Sequence, residues 1–161
     1  MDHQFESTKF IHKKELRLIG LKLPRKTTNK DNQSSKDCGD LWQKFEKDKI
    51  FDLIEGKLSN EIHAVYYEYE KDETGSFSYF IGCKVNNNIK IPSRLHELLI
   101  PPQVYEIYTA KGIMTGCITN TWEKIWSSNI NRLFGFDFEL FDDRSGNWKD
   151  AEVDLYISII K

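Results

Sequence analysis

The apolar positions of this chain change period several times along its length, and each change marks an element. In residues 136–141 (FDFELF) they alternate. Phe136, Phe138 and Leu140 share one face of a strand, and Asp137, Glu139 and Phe141 share the other. That second face is unusual, because a carboxylate stands beside a large ring. A carboxylate among aromatics is costly if buried alone, and it is what a site for an aromatic cation needs.

The remaining elements follow by the same reading. Residues 10–23 contain a strand, with Leu16, Leu18 and Gly20 on one face and Arg17, Ile19 and Leu21 on the other; Pro24 ends it. Residues 25–39 are almost free of apolar side chains and read as a mobile loop or a weakly ordered approach to a helix. Leu41, Trp42 and Phe45 form one helical stripe, predicting a helix from Asp37 or Asp40 to Lys49. Residues 61–71 alternate, with Val65, Tyr67 and Tyr69 on one face and Ala64, Tyr66 and Glu68 on the other. The KDETG stretch at 71–75 is a turn by composition, and residues 76–85 form a second strand, so the pair reads as a hairpin. The proline-punctuated residues 92–102 read as a connector, with one helical turn at 94–99. Then come a strand at 103–110 and a helix from Thr115 or Gly116 to Asn129, striped by Ile118, Trp122, Ile125 and Trp126. The 136–141 strand, a turn region at 142–150 and a last strand at 153–160 complete the chain.

Both halves therefore read strand–helix–strand–strand. Residues match as well as order: Trp42-Gln43-Lys44-Phe45 aligns with Trp122-Glu123-Lys124-Ile125, and Tyr67-Glu68-Tyr69 aligns with Phe138-Glu139-Leu140. A period this long indicates duplication of a supersecondary unit. One helix and about three strands cannot bury both faces of a sheet alone. The predicted fold is α+β: two strand–helix–strand–strand units, about 10–90 and 100–161, share one antiparallel sheet in a single domain spanning 1–161. Both helices lie on one face, and a ligand cleft sits at the pseudo-twofold, as a trough on the face opposite the helices.

Composition narrows the function. The chain has 161 residues, a net charge of -2 and a pI near 6.1, without the basic footprint of a nucleic-acid binder. No apolar run approaches the ~18 residues of a membrane span, and the polar first eight residues do not read as a secretory signal. Cys38, Cys83 and Cys117 are odd in number and lack metal spacing. A reducing cytoplasm is the expected location, with no metal and no cofactor.

The pattern Tyr105-x-x-Tyr108-x-x-Lys111-Gly112, then Thr121-Trp122, then Phe138-Glu139-x-Phe141, then Asp154-Leu155-Tyr156-Ile157 resembles GyrI-like effector-binding domains, the ligand-sensing domains of some AraC- and MerR-type transcription regulators. Val65-Tyr66-x-x-Tyr69 and Ile81-Gly82-Cys83 bring it nearest to the integron-associated effector-binding proteins of that group. The resemblance implies a central cleft for small, lipophilic, cationic or aromatic compounds, a buried glutamate as counter-ion and rings that stack on the ligand. By this resemblance Glu139 is the counter-ion, Phe141 shares its face, and Tyr156 closes over the cleft. Asp154 stands where the family usually has Glu, and Ser158 where it often has Pro. Trp126, Tyr108, Tyr66 and Glu68, the last as pseudo-symmetric partner of Glu139, complete the candidate ligand set, and desolvation is expected to raise the pKa of Glu139. A helix-turn-helix does not fit before the domain, so a transcriptional role requires a partner regulator. Two alternatives follow from the same resemblance: hydrolysis of reactive electrophiles by Glu139 as base and Tyr156 as proton donor, and inhibition of a protein target such as DNA gyrase.

Overall fold

A computed structural model of the chain describes residues 9–160. Its strands are β1 (Lys9–Lys13), β2 (Leu16–Lys22), β3 (Thr27–Thr28), β4 (Ile62–Tyr67), β5 (Ser76–Lys84), β6 (His96–Ile100), β7 (Gln103–Gly112), β8 (Asp137–Phe141) and β9 (Ala151–Ser158). The helices are α1 (Gln33–Lys47), the one-turn α2 (Ile50–Leu53) and α3 (Met114–Trp126). The sheet is antiparallel throughout and runs β1-β7-β9-β8-β4-β5-β2-β6, with β3 pairing β5.

The duplication is visible in that order. One unit is β2-α1-β4-β5 and the other β7-α3-β8-β9, each laid out as first, third, second strand. They meet along β4 and β8, where Ala64 faces Glu139. Ala64 pairs with Ile81 and Glu139 with Leu155; Ile81 pairs with Leu21 and Leu155 with Tyr108. A half-turn at the β4–β8 seam thus exchanges the two units. The aligned tryptophans obey it: Trp42 of α1 meets Phe141 edge-on at 5.1 Å, and Trp122 of α3 meets Tyr66 edge-on at 5.1 Å.

The outer strands bend this sheet into a half-barrel. Only Lys14 and Glu15 join β1 to β2, and only Pro101 and Pro102 join β6 to β7. Three peptide steps reach about 11 Å. In a flat sheet the six intervening gaps would separate those strands by about 29 Å, so the two ends of the sheet must curl toward each other. Each unit's leading strand then completes the edge of the other unit, β1 on β7 and β6 on β2.

The inside of the curl is solid. Leu18, Val65, Phe80, Ile100, Tyr105, Phe138 and Tyr156 are buried there in one apolar cluster. The trough expected on the face opposite the helices is absent, because the curl folds that face onto itself. The helices cover the outer face in two further clusters: Leu41 and Phe45 of α1 over Ile19, Tyr79 and Ile81, and Trp122 and Ile125 of α3 over Ala110, Val153 and Leu155.

Three local expectations change. The polar 25–39 stretch is ordered: Thr27 Oγ1 donates to Asp37 Oδ2 at 2.7 Å and Ser34 Oγ to Asn29 Oδ1 at 2.7 Å, and α1 begins at Gln33. Several of its polar side chains hydrogen-bond to one another. Residues 96–100 form strand β6, not a helical turn; Leu98 and Ile100 point inward between exposed neighbours. Residues 10–23 divide into two strands at opposite ends of the sheet, β1 at one edge and β2 next to the other edge strand, β6.

Candidate functional site

On the outer face α1 and α3 flank the β4–β8 seam, and a cleft of about 230 Å³ opens between them. Its lining comes from the start of α1 (Asn32, Ser34, Ser35, Cys38), from α3 (Ile118, Thr119, Trp122, Glu123, Trp126), from the sheet (Tyr66, Tyr69, Phe77, Glu139) and from Arg132 in the loop before β8.

Glu139 is 3% exposed. Its place follows from strand parity. Phe136, Phe138 and Leu140 take the barrel interior, which puts Asp137, Glu139 and Phe141 on the helix side. Trp122 Nε1 donates to Glu139 Oε2 at 2.8 Å, and Tyr66 Oη donates to the same oxygen at 2.7 Å. Among the described residues no Lys, Arg or His forms an ion pair with it. Burial raises the pKa of Glu139, and the two donors offset part of that rise. Burial, then the adjacent Glu139 charge, push the Tyr66 phenol well above its ordinary value, so Tyr66 stays protonated and donates. The same two causes push up the Cys38 thiol in the α1 wall.

Two residues along β8, Asp137 has the opposite surroundings. It is fully buried and fully partnered. Tyr69 Oη (2.7 Å) and Arg132 Nη2 (2.8 Å) donate to Oδ2; Ser158 N (2.7 Å) and Oγ (2.8 Å) donate to Oδ1. The Arg132 guanidinium also reaches Glu73 Oε1 at 3.4 Å and lies 4.1 Å from the Phe134 ring centre and 5.8 Å from those of Tyr69 and Trp122. The cleft wall thus already holds one cation between carboxylates and rings, while the neighbouring carboxylate, Glu139, has rings and donors but no cation.

Of the residues singled out from the sequence, Glu139, Tyr66 and Trp126 line the cleft together, with Trp126 37% exposed at the edge. Phe141 is on the predicted face but packs against Trp42 on the α1 side of the seam, outside the lining. Tyr108 is buried beneath α3 in the cluster with Cys117 and Trp122. Glu68 is not the counterpart of Glu139, a place held by Ala64. Glu68 lies past the end of β4 at φ 54°, exposed, accepting from Ser78 Oγ at 2.6 Å. Tyr156 is on the other face of the sheet, stacked on Phe138 at 4.5 Å with Lys13 Nζ 5.4 Å from its ring centre. Parity decides this: Tyr156 pairs with Phe138, not Glu139. A Glu139–Tyr156 acid–base pair therefore does not form.

Arg132 was missed. Its partners lie 59 and 5 residues away, and no short motif joins them. One signal was present: Asp137 and Glu139 share a strand face, and two carboxylates so placed require a cation or a ligand between them. Among the described residues no group of three His, Cys, Asp or Glu side chains could hold a metal ion, and no helix is long and apolar enough to cross a membrane.

Comparison with known proteins agrees with this architecture. The integron cassette protein VCH_CASS2 from the mobile metagenome of Vibrio cholerae superposes with a TM-score of 0.74 at 21% identity, over 97% of each chain. The protein SAV2435, solved bound to tetraphenylphosphonium, superposes with a TM-score of 0.76 at 16% identity, over 98% of this chain and 94% of that one. At those identities the likeness establishes the fold. The YobU protein of Bacillus subtilis (strain 168), whose name provisionally makes it a transcriptional regulator, is 25% identical over 125 residues, 75% of this chain and 78% of its own. The sequence profile of the integron-associated effector binding proteins, Cass2, matches residues 10–159, and the chain belongs to that family.

Proposed function

We propose that the cleft between α1 and α3 binds lipophilic aromatic cations as effectors, with Glu139 as the counter-ion. One observation carries the reading: a buried carboxylate lines a ring-rich cleft, held by two donors and without a cation of its own. An arriving cation loses its hydration, and the ionised carboxylate and the faces of Trp122 and Tyr66 compensate. The rings contribute up to about 2 kcal/mol in a desolvated site, and a hydrogen-bonded or charge-paired carboxylate about 1.5–3 kcal/mol. SAV2435, with tetraphenylphosphonium bound, supports the chemical class. The volume bears on how such a compound enters. At about 230 Å³ the cleft is below the ~300–1,000 Å³ usual for drug-sized ligands, so one or two rings enter and the rest stays at the mouth beside Trp126. Effector occupancy then acts on transcription through a partner regulator.

The test uses shape-matched ions of opposite charge. Tetraphenylphosphonium and tetraphenylborate are titrated into the protein and followed by tryptophan fluorescence. The cation is expected to bind about 10- to 100-fold more tightly than the anion. Equal affinities would refute a counter-ion role.

A further inference from the structure

The two oxygens of the Glu139 carboxylate are used unequally. Trp122 Nε1 and Tyr66 Oη both donate to Oε2, at 2.8 and 2.7 Å. Among the described residues nothing donates to Oε1, although an ionised carboxylate offers about four acceptor sites over its two oxygens. Asp137, two residues along the same strand face, shows the contrast. Each of its oxygens takes two donors, all from the protein.

Oε1 is also within reach of a ligand. The side-chain nitrogen and oxygen atoms enclosed without a partner among the described residues are His63 Nδ1 and Arg132 Nε, and Oε1 is not one of them. The 3% of Glu139 that stays exposed therefore includes Oε1, and the residue opens into the cleft. The two bonds to Oε2 hold that oxygen in place, so Oε1 is presented from a fixed position.

We propose that Oε1 accepts a hydrogen bond from the ligand's own N–H, which makes the preferred effector a protonated aromatic amine rather than a quaternary ammonium or phosphonium ion. The inference rests on the cation reading above and adds to it the chemistry of the charged group. A cation shielded by carbon brings charge alone and leaves Oε1 desolvated without a donor. A protonated amine brings charge and donor in one atom, in a charge-assisted bond of about 2.7–2.9 Å. Its rings then fill the cleft toward Trp126 at the edge. Charge alone gives the opposite preference, because a quaternary ion sheds its hydration more cheaply than an N–H cation does.

Two isomers of one formula and one charge test this: (p-phenylbenzyl)ethylmethylammonium, which carries an N–H, and (p-phenylbenzyl)trimethylammonium, which does not. Both are titrated calorimetrically at neutral pH, where the amine is protonated. Wild type is expected to bind the N–H isomer about tenfold more tightly, the worth of one hydrogen bond between charged groups. In Glu139→Gln the amide oxygen keeps the Trp122 and Tyr66 donors, and the amide NH2 takes the place of Oε1. Both isomers weaken there, and their ratio falls to one or below. A wild-type ratio of one or below overturns the inference, and it decides without the variant because charge alone predicts that sign. A preference that survives Glu139→Gln comes from shape and overturns it as well. If the wild-type ratio is one and Glu139→Gln still weakens both isomers, this inference alone fails and the cation reading stands. If Glu139→Gln weakens neither isomer, or if neither binds to wild type, the cation reading falls and this inference with it.

Discussion

Replacing Arg132 by methionine should destabilise the protein through Asp137 more than through any contact of its own. Asp137 is fully buried and accepts four hydrogen bonds, one of them from Arg132 at 2.8 Å. Without the guanidinium the carboxylate keeps three neutral donors and loses the one ion pair it has among the described residues. An uncompensated buried charge of this kind costs about 3–5 kcal/mol; the three remaining donors argue for the lower part of that range. For a domain of this size that corresponds to a fall in Tm of roughly 6–20 °C. Asp137→Asn alone should cost a comparable amount, because one amide face cannot accept from all of Tyr69 and Ser158 and Arg132 retains only Glu73. The double variant Arg132→Met, Asp137→Asn removes both charges together and should be less destabilised than the sum by about 2 kcal/mol or more. Urea unfolding of the four proteins, followed by far-UV circular dichroism, measures this. Additivity within about 0.5 kcal/mol would refute the claim that Arg132 acts as the charge partner of Asp137.

Two more predictions follow from the same faces and charges. Tyr156→Phe should leave cation affinity unchanged, because Tyr156 is stacked on Phe138 in the barrel interior; a tenfold loss in a tetraphenylphosphonium titration would contradict the placement of the cleft. Glu139 has its pKa raised by burial in the folded protein, so the native state holds this proton to higher pH than the unfolded chain. Its contribution to stability is therefore fully present below the unfolded value and is lost as pH rises through the folded one. Wild type should lose stability relative to Glu139→Gln as pH rises from about 4.3; parallel urea-unfolding stabilities across the pH series would count against it.

Much of the fold was legible because its signals are local. The helical stripes around Trp42 and Trp122, and the alternation in β4, β5, β8 and β9, each lie within one element, and their repetition exposed the duplication. The edge strands were harder to read. β6 carries His96 and Glu97 beside two inward leucine-type positions, and prolines at 92, 101 and 102 obscure its alternation. The face bearing the cleft depended on a global feature, the curl imposed by two-residue links between opposite ends of the sheet, which no window of sequence displays. Glu139 was found through its pairing with aromatics on one strand face. Glu68 was misassigned because similarity of Tyr-Glu-Tyr to Phe-Glu-Leu outweighed register, and register places Ala64 opposite Glu139. Arg132 depends on contacts with Glu73 and Asp137 that only the tertiary structure assembles.

The central claim is that Glu139, buried and hydrogen-bonded but without a cation, supplies the charge that holds an aromatic cation in this cleft. Isothermal titration of tetraphenylphosphonium into wild type and Glu139→Gln at neutral pH tests it most directly. The account predicts that the variant, folded as judged by circular dichroism, binds about 10- to 100-fold more weakly. A variant that binds as tightly as wild type would contradict it.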